Sequence, residues 1–139
     1  MEISDREITT EEYNKILADF KKIEREYSLP DKKSLRLNVT VDKEDQVIGF
    51  ASGLINHKWF FLSDLWVRDA YRGQGLGAKI LKMLEDNAKK YGVAHIYTWT
   101  TNYNSNEIFY KKQGYQQCLV FENYFEVENG HHICLKKDF

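Results

Sequence analysis

The chain has 139 residues, 42% apolar and 14% aromatic, which is enough for one hydrophobic core and a single domain over 1–139. Twenty basic against twenty-one acidic side chains lack the basic excess that a phosphate backbone demands, so nucleic acid is set aside as a partner. The polar, acidic start MEISDREITTEEYNK is unlike a secretory signal and no stretch approaches the ~18 apolar residues of a membrane span, so a cytoplasmic protein with no membrane partner is expected.

Tyr13, Ile16, Leu17, Phe20, Ile23 and Tyr27 share one helical face, and Thr9 or Thr10 stands where an N-cap belongs, predicting a helix over about 10–27 that Pro30 ends. Leu35, Leu37, Val39 and Val41 then alternate with polar residues as in a half-buried strand, and DKEDQ at 42–46 turns the chain. Segments 47–55 and 59–67 read as two more strands of an antiparallel meander. After a glycine cluster, Leu76, Ile80, Leu81, Leu84 and Ala88 define an amphipathic helix with Gly92 as its C′ residue, followed by a strand over 93–100. A short helix around 107–113, capped by Gly114, leads to strands near 115–121 and 131–136. Cys118 and Cys134 have no CxxC spacing and read as reduced thiols; strands pairing about residue 126 would bring the two sulfurs face to face.

Arg72-Gly73-Gln74-Gly75-Leu76-Gly77 lies between a strand and a helix. Glycines there let backbone N–H groups close on an anion beside the positive end of the helix dipole, so a phosphate ligand is the direct inference. Gly73, Gly75 and Ala78 also satisfy the spacing of the dinucleotide fingerprint. That fingerprint follows its strand at once and needs an acid at the end of the next strand. Here residues 68–72 intervene, VAHIYTWT carries no acid, and a single βαβ unit cannot form a doubly wound sheet.

The pattern of Arg72, Gly75 and Gly77 resembles the central motif of the GNAT superfamily, which is Arg or Gln, two residues, Gly, one residue, then Gly or Ala. Leu65-Trp66-Val67 stands five residues before Arg72, as does the strand segment of that family whose backbone bonds the pantetheine arm of coenzyme A, and FYKKQGY at 109–115 is similar to the family's second signature. The segment NSNEIFY departs from the FQAPEFY common in similar small bacterial members. Element order matches from residue 10 onward. The resemblance implies an α+β fold: a mixed, mostly antiparallel sheet of about six to seven strands, helices on both faces, and a parallel strand pair that splays apart.

It also implies an N-acetyltransferase in which a small primary amine attacks the thioester of acetyl-CoA directly. The alternative is a non-catalytic acyl-CoA-binding module. Leu65, Trp66, Val67, Arg72, Gly73, Gln74, Gly75, Leu76, Gly77 and Ala78 would hold the cofactor, with the Val67 N–H polarising the thioester oxygen while its side chain packs in the core. Tyr110 aligns with the family tyrosine that protonates the departing thiolate; packing the short helix is its rival role. Asn104 and Asn106 fall near family contacts to the pantetheine and phosphates, with helix capping an equal alternative.

Asp64, in LSDLWV, is the candidate carboxylate to accept the acceptor's proton; a plain surface acid is the other reading. The glutamate base of histone-type members would fall at Phe61, which does not support that mechanism. Trp59 or Trp66 could wall the acceptor pocket, and Glu122, Glu126 and Glu128 read better as a solvated loop than as an acceptor site. His57, His95, His131 and His132 lack ligand spacing with a carboxylate, so no metal is expected. A homodimer fits these expectations.

Overall fold

A computed structural model of the chain describes residues 1–27 and 34–139. These fall into two compact units, 1–32 and 33–139.

The first unit contains helix α1, Thr10–Glu26. Of the two candidate threonines, Thr9 is the cap: its hydroxyl accepts the Glu12 amide at 3.1 Å and the Glu12 carboxylate accepts the Thr9 amide at 3.0 Å. The Thr9 amide, and then Arg6, hold the Glu12 carboxyl below its usual range. Two of the orphan donors of the first turn are thereby satisfied. Tyr27 is the C-cap, and Pro30 lies outside the described residues.

The second unit is a six-stranded mixed sheet in the order β1-β2-β3-β4-β6-β5. Its strands are β1 (Ser34–Lys43), β2 (Gln46–Asn56), β3 (Trp59–Val67), β4 (His95–Thr101), β5 (Gln116–Phe121) and β6 (His132–Asp138), with helices α2 (Leu76–Lys89) and α3 (Asn106–Lys112) between them. All neighbours run antiparallel except β3 and β4. Glu44 and Asp45, both at positive φ, make the tight turn between β1 and β2, and a 3-10 turn at Asp69–Tyr71 occupies the gap before the glycine cluster. Gly92 lies at φ 82 and is the C′ residue expected from the sequence: its amide donates to the Lys89 carbonyl at 3.0 Å and the Val93 amide to the Ala88 carbonyl at 3.4 Å, the paired bonds of a Schellman motif.

One sheet face carries the core of this unit. Val39, Ala51, Ile55, Phe60, Leu62, Ile96, Ile133 and Leu135 are buried there with Ile80, Leu81, Leu84 and Ala88 of α2 and Tyr110 of α3. A Cβ on Gly49 would meet the end of the Ile80 side chain, so glycine lets α2 lie close against β2. Beneath α2, Glu85 is 3% exposed and its carboxylate accepts from Lys137 Nζ of β6 at 2.9 and 3.2 Å. An unpaired carboxylate would not survive at that depth.

Two irregularities shape β3. It pairs with β4 only from Trp59↔His95 to Phe61↔Tyr97, although both strands continue beyond. Its pairing with β2 slips between Leu62 and Asp64, leaving Ser63 as an extra residue, and such a bulge bends and twists the strand that bears it. The implied splayed pair is therefore present, and the fork opens at Leu62 and Thr98.

Candidate functional site

The fork is fixed by one side chain. Thr98 donates its hydroxyl to the Leu62 carbonyl at 2.9 Å, at the position just past the last paired residues. Beyond it, β2 is the only strand paired with β3 among the described residues. The Arg68 amide donates to the Ile48 carbonyl at 2.8 Å, which sets the alternation of that ladder. Phe50↔Trp66 is then a hydrogen-bonded pair, and Gly49↔Val67 and Ala51↔Leu65 are not. The backbone groups of Leu65 and Val67 therefore point away from β2 into the fork, while those of Trp66 turn toward β2. Val67 O accepts from Arg72 Nε at 2.7 Å. This leaves the N–H groups of Leu65 and Val67 and the Leu65 carbonyl without backbone partners among the described residues.

The same arginine folds the next segment. Arg72 also pairs with Asp69, tying the 3-10 turn to the end of β3 and aiming the chain into α2. The Gln74 side chain donates to the Ala70 carbonyl at 3.4 Å. Gly73 at φ 73 and Gly75 at φ 81 adopt the left-handed region, and Gly75 is the α2 N-cap. The first backbone bond from this stretch is Lys79 N to Gly75 O, so among the described residues the amides of 73–78 find no backbone acceptor. Nothing lies within 4 Å of a Cβ built on Gly73 or Gly75. Six unpartnered N–H groups at a helix start, beside open space, fit a polyphosphate. Gly77 is different: its Cβ position is 3.7 Å from Val67 Cγ2 and from the Phe109 ring, ordinary contact distances. Leu76 and Ala78 are half-buried in the first turn of α2.

α3 brings Tyr110 to the fork from the core side. Its ring packs 5.2 Å from Phe109 and 5.4 Å from Tyr115, and its hydroxyl lies beside Thr98. Burial pushes the phenol above its ordinary value of 10.0, and the Thr98 hydroxyl pulls the other way without cancelling the shift. Tyr110 is therefore a protonated donor at neutral pH. Asn104 Oδ1 accepts the Asn106 amide at 3.0 Å across Ser105, the α3 N-cap, whose own side chain makes no capping bond, and Asn106 is exposed in the first turn.

Asp64 and Trp66 occupy the opposite face of β3 from α2, because the Ser63 bulge puts Leu62, Leu65 and Val67 on the core side. Asp64 is exposed and its carboxylate accepts from the Ser63 hydroxyl at 2.8 Å. Trp66 stands at the open end of β3 with Arg68 5.6 Å over its ring, and Trp59 stacks on His95 at 4.3 Å at the paired end. Phe61 stacks on Tyr97 at 5.1 Å.

The loop over 122–131 is fastened by Asn102, whose amide donates to Asn129 O at 2.7 Å and whose oxygen accepts His131 N at 2.8 Å. Cys118 and Cys134 do come together, on β5 and β6: the Cys118 thiol donates to the Cys134 carbonyl at 3.4 Å, and burial, aided by Cys118, pushes Cys134 up to about 12. A shallow concavity of about 680 Å³ runs from Ala78 along Lys79, Lys82 and Lys90 to Gln113, away from the fork. Thr98 and the Leu65 N–H lie at the fork although sequence reasoning did not weigh the one or isolate the other. Nothing in VAHIYTWT distinguishes Thr98 from the threonine two residues on.

The sequence pattern of the acetyltransferase (GNAT) family matches residues 5–115. The acetyltransferase Atu2258 of Agrobacterium fabrum is 36% identical over 69 residues, an alignment spanning 48% of this chain and 49% of that protein. A crystal structure of an acetyltransferase from Bacillus cereus superposes with a TM-score of 0.80 at 24% identity, covering 99% of this chain and 98% of the other. An aminoglycoside 6′-N-acetyltransferase in complex with coenzyme A gives a TM-score of 0.65 at 20% identity, covering 74% of this chain and 72% of its own.

Proposed function

Because the chain belongs to the GNAT acetyltransferase family, we propose that it transfers an acetyl group from acetyl-CoA to a small primary amine in the fork between β3 and β4. The observation that carries this reading is the convergence at one fork of three groups with separate tasks: unpartnered amides on β3, unpartnered amides at the start of α2, and a protonated phenol beside Thr98. A coenzyme A complex among the structural relatives supports the choice of donor.

Bound acetyl-CoA would supply the activated acetyl thioester. The amides of 73–78 bind its pyrophosphate, Leu65 aligns the pantetheine arm, and Arg72 keeps both segments in register through the Val67 carbonyl. The Val67 N–H donates to the thioester oxygen as negative charge gathers there. Asp64, directly or through a water, takes the proton that the ammonium must lose before its nitrogen can attack. As the C–N bond forms and the C–S bond breaks, Tyr110 gives its proton to the sulfur, and the second proton that the nitrogen sheds on becoming an amide passes to solvent, from which Tyr110 is reprotonated. Holding donor and acceptor together supplies the larger share of the rate.

Thiol release from acetyl-CoA with a panel of primary amines, alongside coenzyme A binding followed by melting temperature, tests this. Amine-dependent release is expected, with Asp64→Asn lowering kcat/KM for the best amine at least tenfold. Binding without release by any amine would leave a non-catalytic acyl-CoA-binding module, and a melting shift with a nicotinamide dinucleotide but not coenzyme A would overturn the reading altogether.

A further inference from the structure

On the sheet face opposite α2 and α3, a second charged group is built beside Asp64. Arg36 of β1 belongs to that face, because Leu37, Val39 and Val41 alternate with it and pack toward the core. Its guanidinium NH1 donates to the hydroxyl of Ser52 at 2.8 Å and lies 3.4 Å from the hydroxyl of Ser63. Ser52 is 2% exposed, so this anchor is buried. Ser63 is the bulge residue of β3, and the hydroxyl that approaches Arg36 is the one that donates to the Asp64 carboxylate at 2.8 Å. One serine thus spans an anion and a cation, both exposed.

Within residues 34–139 no carboxylate lies within ion-pair reach of Arg36, and its Nε and second terminal nitrogen have no partner there. A guanidinium with a free edge presents the planar fork that matches a carboxylate. The charges are no farther apart than the two hydrogen bonds to Ser63 allow, about 6 Å, the scale on which a small molecule carries an amine and an acid on neighbouring atoms.

We propose that the acceptor is zwitterionic, an amino acid whose amine is received by Asp64 and whose carboxylate is held by Arg36, with Ser52 and Ser63 positioning the two. This rests on the acetyl-transfer reading and narrows its substrate class. Polyamines are disfavoured, because their second cationic centre would face the Arg36 guanidinium. Ser63 links both sites: the bulge that opens the fork is also the residue that sets the spacing of the charges.

Thiol release from acetyl-CoA is measured with matched sets of an amino acid, its carboxamide and its decarboxylated amine, with rates compared per unprotonated amine. The amino acid is expected to exceed the other two at least tenfold in kcat/KM. Arg36→Gln should bring the ratio within threefold of unity, through KM, and Arg36→Lys should keep part of the preference. A carboxylate-free amine as the best acceptor, or a ratio unchanged in Arg36→Gln, overturns the proposal; should that variant fail to fold, the ratio in the unaltered protein and in Arg36→Lys decides. Failure here with coenzyme A bound and some other amine acetylated removes only this inference. No coenzyme A binding and no release by any amine removes the acetyl-transfer reading and this inference with it.

Discussion

Tyr110 suits the proposed role of acid because it is packed between Phe109, Tyr115 and the sheet, with the Thr98 hydroxyl beside its own. Burial holds the phenol protonated, so its donor capacity extends past pH 10, and any alkaline fall of kcat below that point belongs to another group. Tyr110→Phe keeps the ring and removes the proton. We expect kcat to drop at least tenfold, at the low end of the ~100- to 10,000-fold range of general acid catalysis because a thiolate leaves readily, with coenzyme A affinity within a few-fold. An unchanged kcat, with chemistry shown to limit turnover, would leave Tyr110 a packing residue. Its place on the short helix was legible in FYKKQGY, whereas its neighbour was not: Thr98 and Thr100 are both buried, and only the end of the β3–β4 pairing singles out the first.

Among the elements, α2 has two tasks that its sequence keeps apart. Its first turn presents free amides, and its apolar stripe with Glu85 anchors it to the sheet. The contact of Glu85 with Lys137 joins α2 to β6, with Lys137 5.7 Å over the Tyr115 ring. Lys137→Ala would strand a buried carboxylate, a change that costs about 3–5 kcal/mol for a fully buried pair and about 2 kcal/mol or more here, since Lys137 retains some solvent. Denaturant unfolding reads this directly. The double variant Glu85→Met, Lys137→Met is expected to recover most of the loss; a single variant as stable as the parent would show the pair to be without structural weight. Helix limits were legible from apolar spacing, but an acid inside that spacing looks exposed until its partner, 52 residues away, is placed beside it.

At the scale of the whole molecule, ligand binding and stability are linked. Saturation with acetyl-CoA at about 100 times its Kd adds about 2.7 kcal/mol, which for a chain of this length raises the melting temperature by several degrees. Gly75→Glu puts a carboxylate where the pyrophosphate is expected and a side chain at φ 81, a conformation costing about 1–2 kcal/mol outside glycine. The shift should vanish while the free protein melts only a few degrees lower, as scanning calorimetry with and without ligand would record. A retained shift would move the phosphates away from this loop.

The sequence alone determined the elements, the glycine-rich loop and the family likeness, because each rests on local spacing: period two in 35–41, the helical stripe from Leu76, and glycines at 73 and 75 where the backbone turns left-handed. What only the tertiary structure decided is which groups meet. The Ser63 bulge reverses the facing of β3 between Leu62 and Asp64, so that Leu65 and Val67 join the core face and Asp64 joins Arg36 and Ser52 on the other. A one-residue slip in register leaves no mark in an alternating pattern, since it is defined by the partner strand, yet it both opens the fork and sets the acid beside the arginine.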